Sequence, residues 1–292
     1  MRVTVLAAGL ALLAAGLFAV STVAQQRSAA TVSDERARGL GLIRVLVGRP
    51  RWWAGVIGDG GGYLVQAAAL GFGSLLLVQP LLVTTLLFAL PLGAAWAGRT
   101  LTRTDWVWAA LLAVSLAVFV VSGDPTDGVD RAPVRDWLPA GAVLAGLFLV
   151  CVVAAARTRG VTRAVLLAAA TALAYGVAAA LTKGVVGQLD EGLVALLASW
   201  EVYVLVAVSI AGTVLQQSAF QAGELGASLP TMIVGEPVVA VVLGAVVLQE
   251  ELRADGAEWA LIVLLVAVMV AATTALARSS ARTTAVPRPA PA

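Results

Sequence analysis

Three carboxylates lie within long apolar stretches of the sequence: Asp59, Glu201 and Glu236. A charged side chain at the centre of a bilayer costs about 2.5–3.5 kcal/mol and persists mainly where it faces a cavity or a partner. Carboxylate oxygens can hold a hard cation or carry a proton. Acids at these positions therefore predict cation binding or proton coupling within a membrane.

Each acid has a structural alternative as well. Glu236 precedes Pro237, whose missing N–H frees a backbone carbonyl for a cation, and the alternative is a protonated carboxyl bonded to a neighbouring helix. Asp59 stands in the glycine-rich run 58–62, where the backbone can open, or it lies near the inner interface. Glu201 lies in the seventh predicted span, and a small shift of that span would expose this residue outside the membrane.

Other polar side chains complete the candidate set. Gln66 and Gln216 could contact a solute or hydrogen-bond between helices. Lys183 is the single lysine of the chain and reads as a snorkelling helix-end residue, a gate or a counter-ion. The candidate substrate-binding residues are therefore Glu236, Asp59, Gln66, Gln216, Glu201 and Lys183. Glu236 and Asp59 would be the metal ligands if a cation is carried.

Composition sets the class of protein. The 292 residues are 60% hydrophobic and 12% charged, whereas a soluble domain carries about 25% charged residues. This predicts an all-α polytopic membrane protein. The net charge of +2, spread over short loops, does not indicate nucleic-acid binding. A single cysteine cannot form an intrachain disulfide, and the absence of histidine excludes the commonest general base.

Nine stretches are long enough to span the hydrocarbon, which takes about 20 apolar residues. They cover residues 3–25, 52–70, 74–97, 105–121, 137–156, 165–186, 194–217, 227–248 and 257–277. The first could be a cleaved signal peptide or a retained helix, and we expect a retained helix. The basic loop 27–51 carries an apolar centre, 40–47, too short to cross and expected at the interface. The Pro-rich tail 280–292 is expected to be disordered.

The segment 63–105 returns as 213–255, at an offset of 150 residues and without a gap. Eight of the 43 aligned positions are identical, including Gln66 with Gln216 and Pro80 with Pro230. An internal repeat in a hydrophobic chain is typical of transporters built from two halves. The sequence thus predicts a first repeat in 1–135, a linking span in 136–160 and a second repeat in 161–279.

Loop charge predicts the orientation. With the first basic loop inside, fourteen Lys and Arg residues face the cytoplasm and four face outside. The N-terminus is then outside and the C-terminus cytoplasmic. Because five spans separate matching helices, the two repeats would insert in opposite directions. Inverted repeats place a substrate site near the midplane, between the halves.

The turn that follows the repeated helix carries a family resemblance. The first copy reads Arg99-Thr100-Leu101-Thr102-Arg103-Thr104-Asp105-Trp106, and the second reads Glu250-Glu251-Leu252-Arg253, then Glu258-Trp259. This pattern resembles the drug/metabolite transporter superfamily of EamA-like proteins. The resemblance covers nearly the whole chain and implies secondary transport by alternating access.

Within that superfamily the chain looks similar to the NIPA-type magnesium transporters. The resemblance rests on Arg51-Trp52-Trp53-Ala54-Gly55, Leu77-Val78-Gln79-Pro80-Leu81, Lys183-Gly184 and the nine spans. Those proteins have a Gly-Glu pair before the polar residue of the second span, where this chain has Gly62-Tyr63. A hard oxygen ligand is therefore missing from the magnesium pattern.

The sequence thus predicts a secondary transporter of a small, cationic solute in the bacterial inner membrane. A Mg²⁺ transporter and a non-transporting membrane scaffold or subunit are the alternatives, and no enzymatic activity is expected. No cofactor is expected beyond Mg²⁺ or H⁺ as transported or coupling ion. The expected partners are the lipid bilayer and the solute, with no nucleic acid, and a homodimer stays open.

Overall fold

The protein is built from α-helices joined by short turns. The computed structural model describes residues 2–30, 50–96, 98, 100–123, 125–126, 128–222 and 225–284. Over these residues we number eleven helices: α1 (Arg2–Ala30), α2 (Pro50–Phe72), α3 (Leu75–Leu82), α4 (Thr85–Trp96), α5 (Arg103–Gly123), α6 (Val134–Arg157), α7 (Gly160–Gly187), α8 (Leu193–Ala198), α9 (Trp200–Ala222), α10 (Leu225–Val246) and α11 (Ala257–Thr284). A 3₁₀ turn, Leu189–Glu191, follows α7.

Eight of the described segments are long and apolar enough to cross a membrane, with α3 and α4 counting together as Leu75–Trp96. The prediction of an all-α polytopic membrane protein is confirmed. Helix α2, expected as the second of nine spans, is 23 residues long but less apolar. Its glycine run, Asp59 and Gln66 lower its hydropathy. It nevertheless packs along α1, which places Ser21 against Gly58 at one end and Ala7 against Gly73 at the other.

Two of the expected spans are interrupted. The span 74–97 divides at residues 83–84, and α8 precedes α9 within the span 194–217. At the first break the Thr84 hydroxyl donates to the Leu81 carbonyl at 2.6 Å. The corresponding residue of the second copy, Val234, has no hydroxyl, and α10 runs unbroken through two prolines. Proline alone therefore does not decide where this helix divides.

Helices occupy matching positions in the two copies of the sequence repeat. The first copy has helix over Leu75–Leu82 and Thr85–Trp96, and the second has helix over Leu225–Val246, at an offset of 150 residues. The two copies thus share both their rarer residues and their local helical structure.

Small side chains allow the helices to approach closely. Ala7, Ala11, Ala14 and Ala15 of α1 are fully buried. All eight residues of α3 are buried. Helix α7 packs against α2, α6, α9 and α10, and therefore lies centrally in the bundle. This arrangement surrounds the cavity described below.

Two expectations fall partly outside the described residues. The interfacial segment 40–47 lies outside them, as does 285–292 of the expected disordered tail. The beginning of that tail, 280–284, is instead helical, because α11 continues to Thr284. The expectation of disorder is therefore wrong for these five residues.

Candidate functional site

A cavity of about 390 Å³ lies between the helices of the two repeat copies. Four of the six predicted site residues line it: Asp59 and Gln66 from α2, Gln216 from α9 and Glu236 from α10. These residues are up to 177 positions apart in the sequence. The fold therefore brings acids and amides from both repeat copies to one site.

The two carboxylates differ in their surroundings. Asp59 is exposed, and the Ser21 hydroxyl lies 3.4 Å from its Oδ1 while also contacting the Gly55 carbonyl at 2.6 Å. Glu236 is half-buried beside Pro237, which also lines the cavity. One acid is thus accessible to water and the other lies deeper, an arrangement suited to drawing a cation inward.

Two tyrosines on the cavity wall were not predicted. The Tyr175 hydroxyl donates to Gln216 Oε1 at 3.2 Å and lies 3.2 Å from Thr213 Oγ1. The Tyr63 hydroxyl shares a 2.5 Å hydrogen bond with Thr182 Oγ1. Both tyrosines lie within predicted spans, where a buried hydroxyl needs a hydrogen-bond partner, and this was the available signal.

Gln79 lies at the inner limit of the cavity, one turn into α3. Its side chain is fully buried, and neither amide atom has a hydrogen-bond partner among the described residues. Gln66, by comparison, is 4% exposed and lines the same wall. A buried amide without a partner costs about 1–3 kcal/mol, so Gln79 is an expensive residue at this position.

The rest of the wall is mainly apolar and defines the direction of the cavity. Phe18, Leu86, Met232 and Ala277 contribute side chains from α1, α4, α10 and α11. They extend the cavity from the middle of the bundle toward the C-terminal ends of α1 and α11. We call this the cavity end. The opposite end, where α3 begins and α7 finishes, we call the closed end.

Glu201 and Lys183 are not among the described cavity-lining residues. Each instead takes part in an ion pair at the closed end, so the structure does not bring these two predicted residues to the cavity. Arg131 Nε lies 2.7 Å from Glu201 Oε1, and its Nη2 lies 3.2 Å from Oε2. Glu201 is thus held by a two-point contact with the loop before α6. This hydrogen bond to Glu201 raises the pKa of the Arg131 guanidinium.

Lys183 pairs with Glu250, with 2.7 Å between Nζ and Oε1. Both side chains are buried, with relative exposures of 2% and 0%. Glu250 also accepts backbone N–H groups of Leu75 at 2.9 Å and Leu76 at 3.0 Å. An intramembrane lysine requires a partner, so the sequence did carry a signal that an acid would lie near Lys183.

Metal ligands are sparse in this arrangement. No group of three His, Cys, Asp or Glu side chains that could hold a metal occurs among the described residues. Asp59 and Glu236 supply two carboxylates to the cavity, supplemented by amide and hydroxyl oxygens. Such a wall can bind a positive charge and hydrogen-bonding groups together with an apolar body.

The comparisons with known proteins identify a relative across nearly the full length. No model of a known protein family matches the chain, and no solved structure matches it. "Uncharacterized protein Cgl0250/cg0304" of Corynebacterium glutamicum is 37% identical over 286 residues, covering 96% of this chain and 97% of that protein. The chain therefore belongs to the same family as this corynebacterial protein.

Proposed function

We propose that the protein is a secondary transporter of the drug/metabolite superfamily, moving a small cationic solute by alternating access. The observation that carries the proposal is one cavity lined by two carboxylates, Asp59 and Glu236, from opposite repeat copies. Carboxylates inside a membrane are costly and are retained mainly where they serve an ion or a solute. Both acids line a space large enough for a ligand.

The repeat supports the mechanism. Helices occupy matching positions at one offset, and α2, counted as a span, makes the number of spans between matching helices odd. The copies would then insert in opposite directions, and rocking one against the other would expose the site to each side in turn. The distribution of Lys and Arg favours the cytoplasmic side of a bacterial inner membrane for the cavity end.

The size and lining of the cavity favour an organic cation as the solute. Sites for small organic ligands have volumes of about 300–1,000 Å³ and mainly apolar walls, and this cavity measures about 390 Å³. Phe18, Tyr63 and Tyr175 supply aromatic rings that attract cations. Mg²⁺, in contrast, prefers a compact octahedron of oxygen ligands.

Uptake by reconstituted vesicles tests the proposal. The probes are a primary alkylamine, a quaternary ammonium ion and Mg²⁺, each compared with liposomes lacking protein. We expect uptake of an organic cation, and a loss of at least about tenfold with Glu236→Gln, since 1.4 kcal/mol of binding free energy corresponds to tenfold. Glu258→Gln, at an exposed position outside the cavity, is the matched control and should retain uptake.

The outcomes separate the alternatives. Uptake of Mg²⁺ alone, abolished by Glu236→Gln, would replace the organic solute with a metal. No uptake of any probe, together with no thermal stabilisation of the purified protein, would favour a scaffold and contradict transport. Unchanged organic-cation uptake by Glu236→Gln would remove this carboxylate from the mechanism.

A further inference from the structure

We propose that Lys183 and Glu250 form a latch that holds the closed end of the bundle shut. The role of this latch as the outer gate rests on the proposed transport function. The physical claim, that the pair controls access to the buried interior from the closed end, stands on geometry alone. Neither residue lines the cavity, so the latch is distinct from the site described above.

Three donors converge on one carboxylate. Glu250 Oε1 accepts from Lys183 Nζ at 2.7 Å and from the Leu75 N–H at 2.9 Å, while Oε2 accepts from the Leu76 N–H at 3.0 Å. The first N–H groups of a helix have no intrahelical acceptor and form its positive end. Glu250 therefore satisfies both a buried ammonium and the start of α3.

The latch joins parts of the chain that are distant in sequence. Glu250 lies 67 residues from Lys183 and 175 residues from Leu75. Their contacts bring the end of α7, the turn after α10 and the start of α3 to one point. Gly244 leaves room for the carboxylate, because a Cβ there would lie 2.6 Å from Glu250 Oε2. The site is thus built closely around a glutamate side chain.

The latch lies about one helical turn from the cavity along α3. Leu75 and Leu76 begin α3, and Gln79, one turn further along, is already part of the cavity wall. Parting Glu250 from Lys183 and α3 would therefore open a path from the closed end to the solute site. Polar groups suit such a contact, since each one can exchange its partner for water when the path opens.

Labelling of a single introduced cysteine tests the latch. The background is Cys151→Ser, and the reporter is Leu76→Cys, at a side chain 3% exposed beside the latch. A second reporter, Thr22→Cys, replaces a half-buried side chain in the wall at the cavity end. A membrane-impermeant maleimide is applied to sealed right-side-out and inside-out vesicles. The side that labels Thr22→Cys defines the cavity side without any assumed topology.

The decisive variant is Lys183→Met with Glu250→Gln, which removes both charges and leaves no single charge buried. We expect Leu76→Cys to label roughly tenfold faster from the side opposite to the one that labels Thr22→Cys, because populations respond exponentially to the free energy lost by the closed state. Glu251→Gln makes the same chemical change at the adjacent, exposed residue and should leave the rate unchanged.

Three results would overturn the latch. One is an unchanged labelling rate in the double variant, shown to be folded by a monodisperse elution profile. The second is rapid labelling of Leu76→Cys before the latch is altered. The third is an equal increase from both sides, which would indicate general loosening. None of these readouts requires a solute, so failure of the latch is distinguishable from failure of the transport proposal.

Discussion

The two turns that follow the repeated helices occupy matching positions but are held in different ways. In the first, residues 98–105, Asp105 Oδ2 accepts the Thr102 N–H at 2.9 Å and the Thr102 hydroxyl at 2.7 Å. In the second, residues 248–255, Glu250 instead reaches Lys183 and the start of α3. The first turn has hydrogen bonds between its own residues, and the second has contacts with residues far away in the sequence.

Backbone pairing extends the difference. The loop between α5 and α6 lies against the second turn, with the Thr126 N–H donating to Glu251 O at 2.8 Å and the Val129 N–H to Leu248 O at 2.7 Å. The Arg253 N–H donates to Gly123 O at 3.0 Å. Turns at matching positions of a sequence repeat can therefore differ in structure. Here one lies at the cavity end of the bundle and the other at the closed end.

The largest predicted difference between the two ends concerns two glycines with similar backbone angles. Gly128 at the closed end has φ of +60°, and Gly98 at the cavity end has φ of +64°. A Cβ on Gly128 would lie 2.3 Å from the Leu248 carbonyl oxygen, whereas no atom of the described residues lies within 4 Å of one on Gly98. We expect Gly128→Ala to cost at least about 3 kcal/mol of unfolding free energy, and Gly98→Ala about 1–2 kcal/mol, the backbone strain alone.

Thermal unfolding of the purified protein in detergent measures both variants. The midpoint should fall clearly further for Gly128→Ala than for Gly98→Ala. Equal shifts would mean that the loop before α6 does not rest tightly on the second turn, and the contrast between the two ends would fail.

A second test exchanges a residue between the copies. Gln79 corresponds to Leu229 at the offset of 150, and both line the cavity. Gln79→Leu removes the buried amide that has no described partner, and we expect a gain of about 1–3 kcal/mol in unfolding free energy. Gln216→Leu is the matched control and should lose stability, because Gln216 accepts a hydrogen bond from Tyr175.

The measurement is again the unfolding midpoint, taken without added solute. A loss of stability with Gln79→Leu would show that water or another partner satisfies this amide in the protein. A gain would show that Gln79 lowers the stability of the protein. Uptake by the Gln79→Leu variant would then be compared with uptake by the parent protein.

Much of the architecture was accessible from the sequence because apolar length and a constant repeat offset are local signals. They predicted the helical membrane fold and four residues of the cavity wall, including Asp59 and Glu236. The sequence does not predict the partner of Lys183, because Glu250 lies in a turn outside the predicted spans. Helix α2 shows a limit of the hydropathy signal, because the polar residues that line the cavity make this helix less apolar than the other spans.

The smallest expected effect concerns the first turn itself. Asp105 lies three residues after Thr102, and the Asp105 N–H in turn donates to Thr102 Oγ1 at 3.2 Å, which forms a capping box at the start of α5. Such a cap contributes about 1 kcal/mol, within a range of 0.5–2. We therefore expect Asp105→Ala to lower the unfolding midpoint by only a few degrees.

Asp105→Asn is the conservative control, since its amide oxygen can still accept one of the two hydrogen bonds from Thr102, and its cost should be smaller. If Asp105→Ala destabilised the protein as strongly as Gly128→Ala, the first turn would have to be tied into the bundle beyond its own helix. The cavity end would then be as firmly held as the closed end, and local capping would not explain why the bundle opens at one end and not the other.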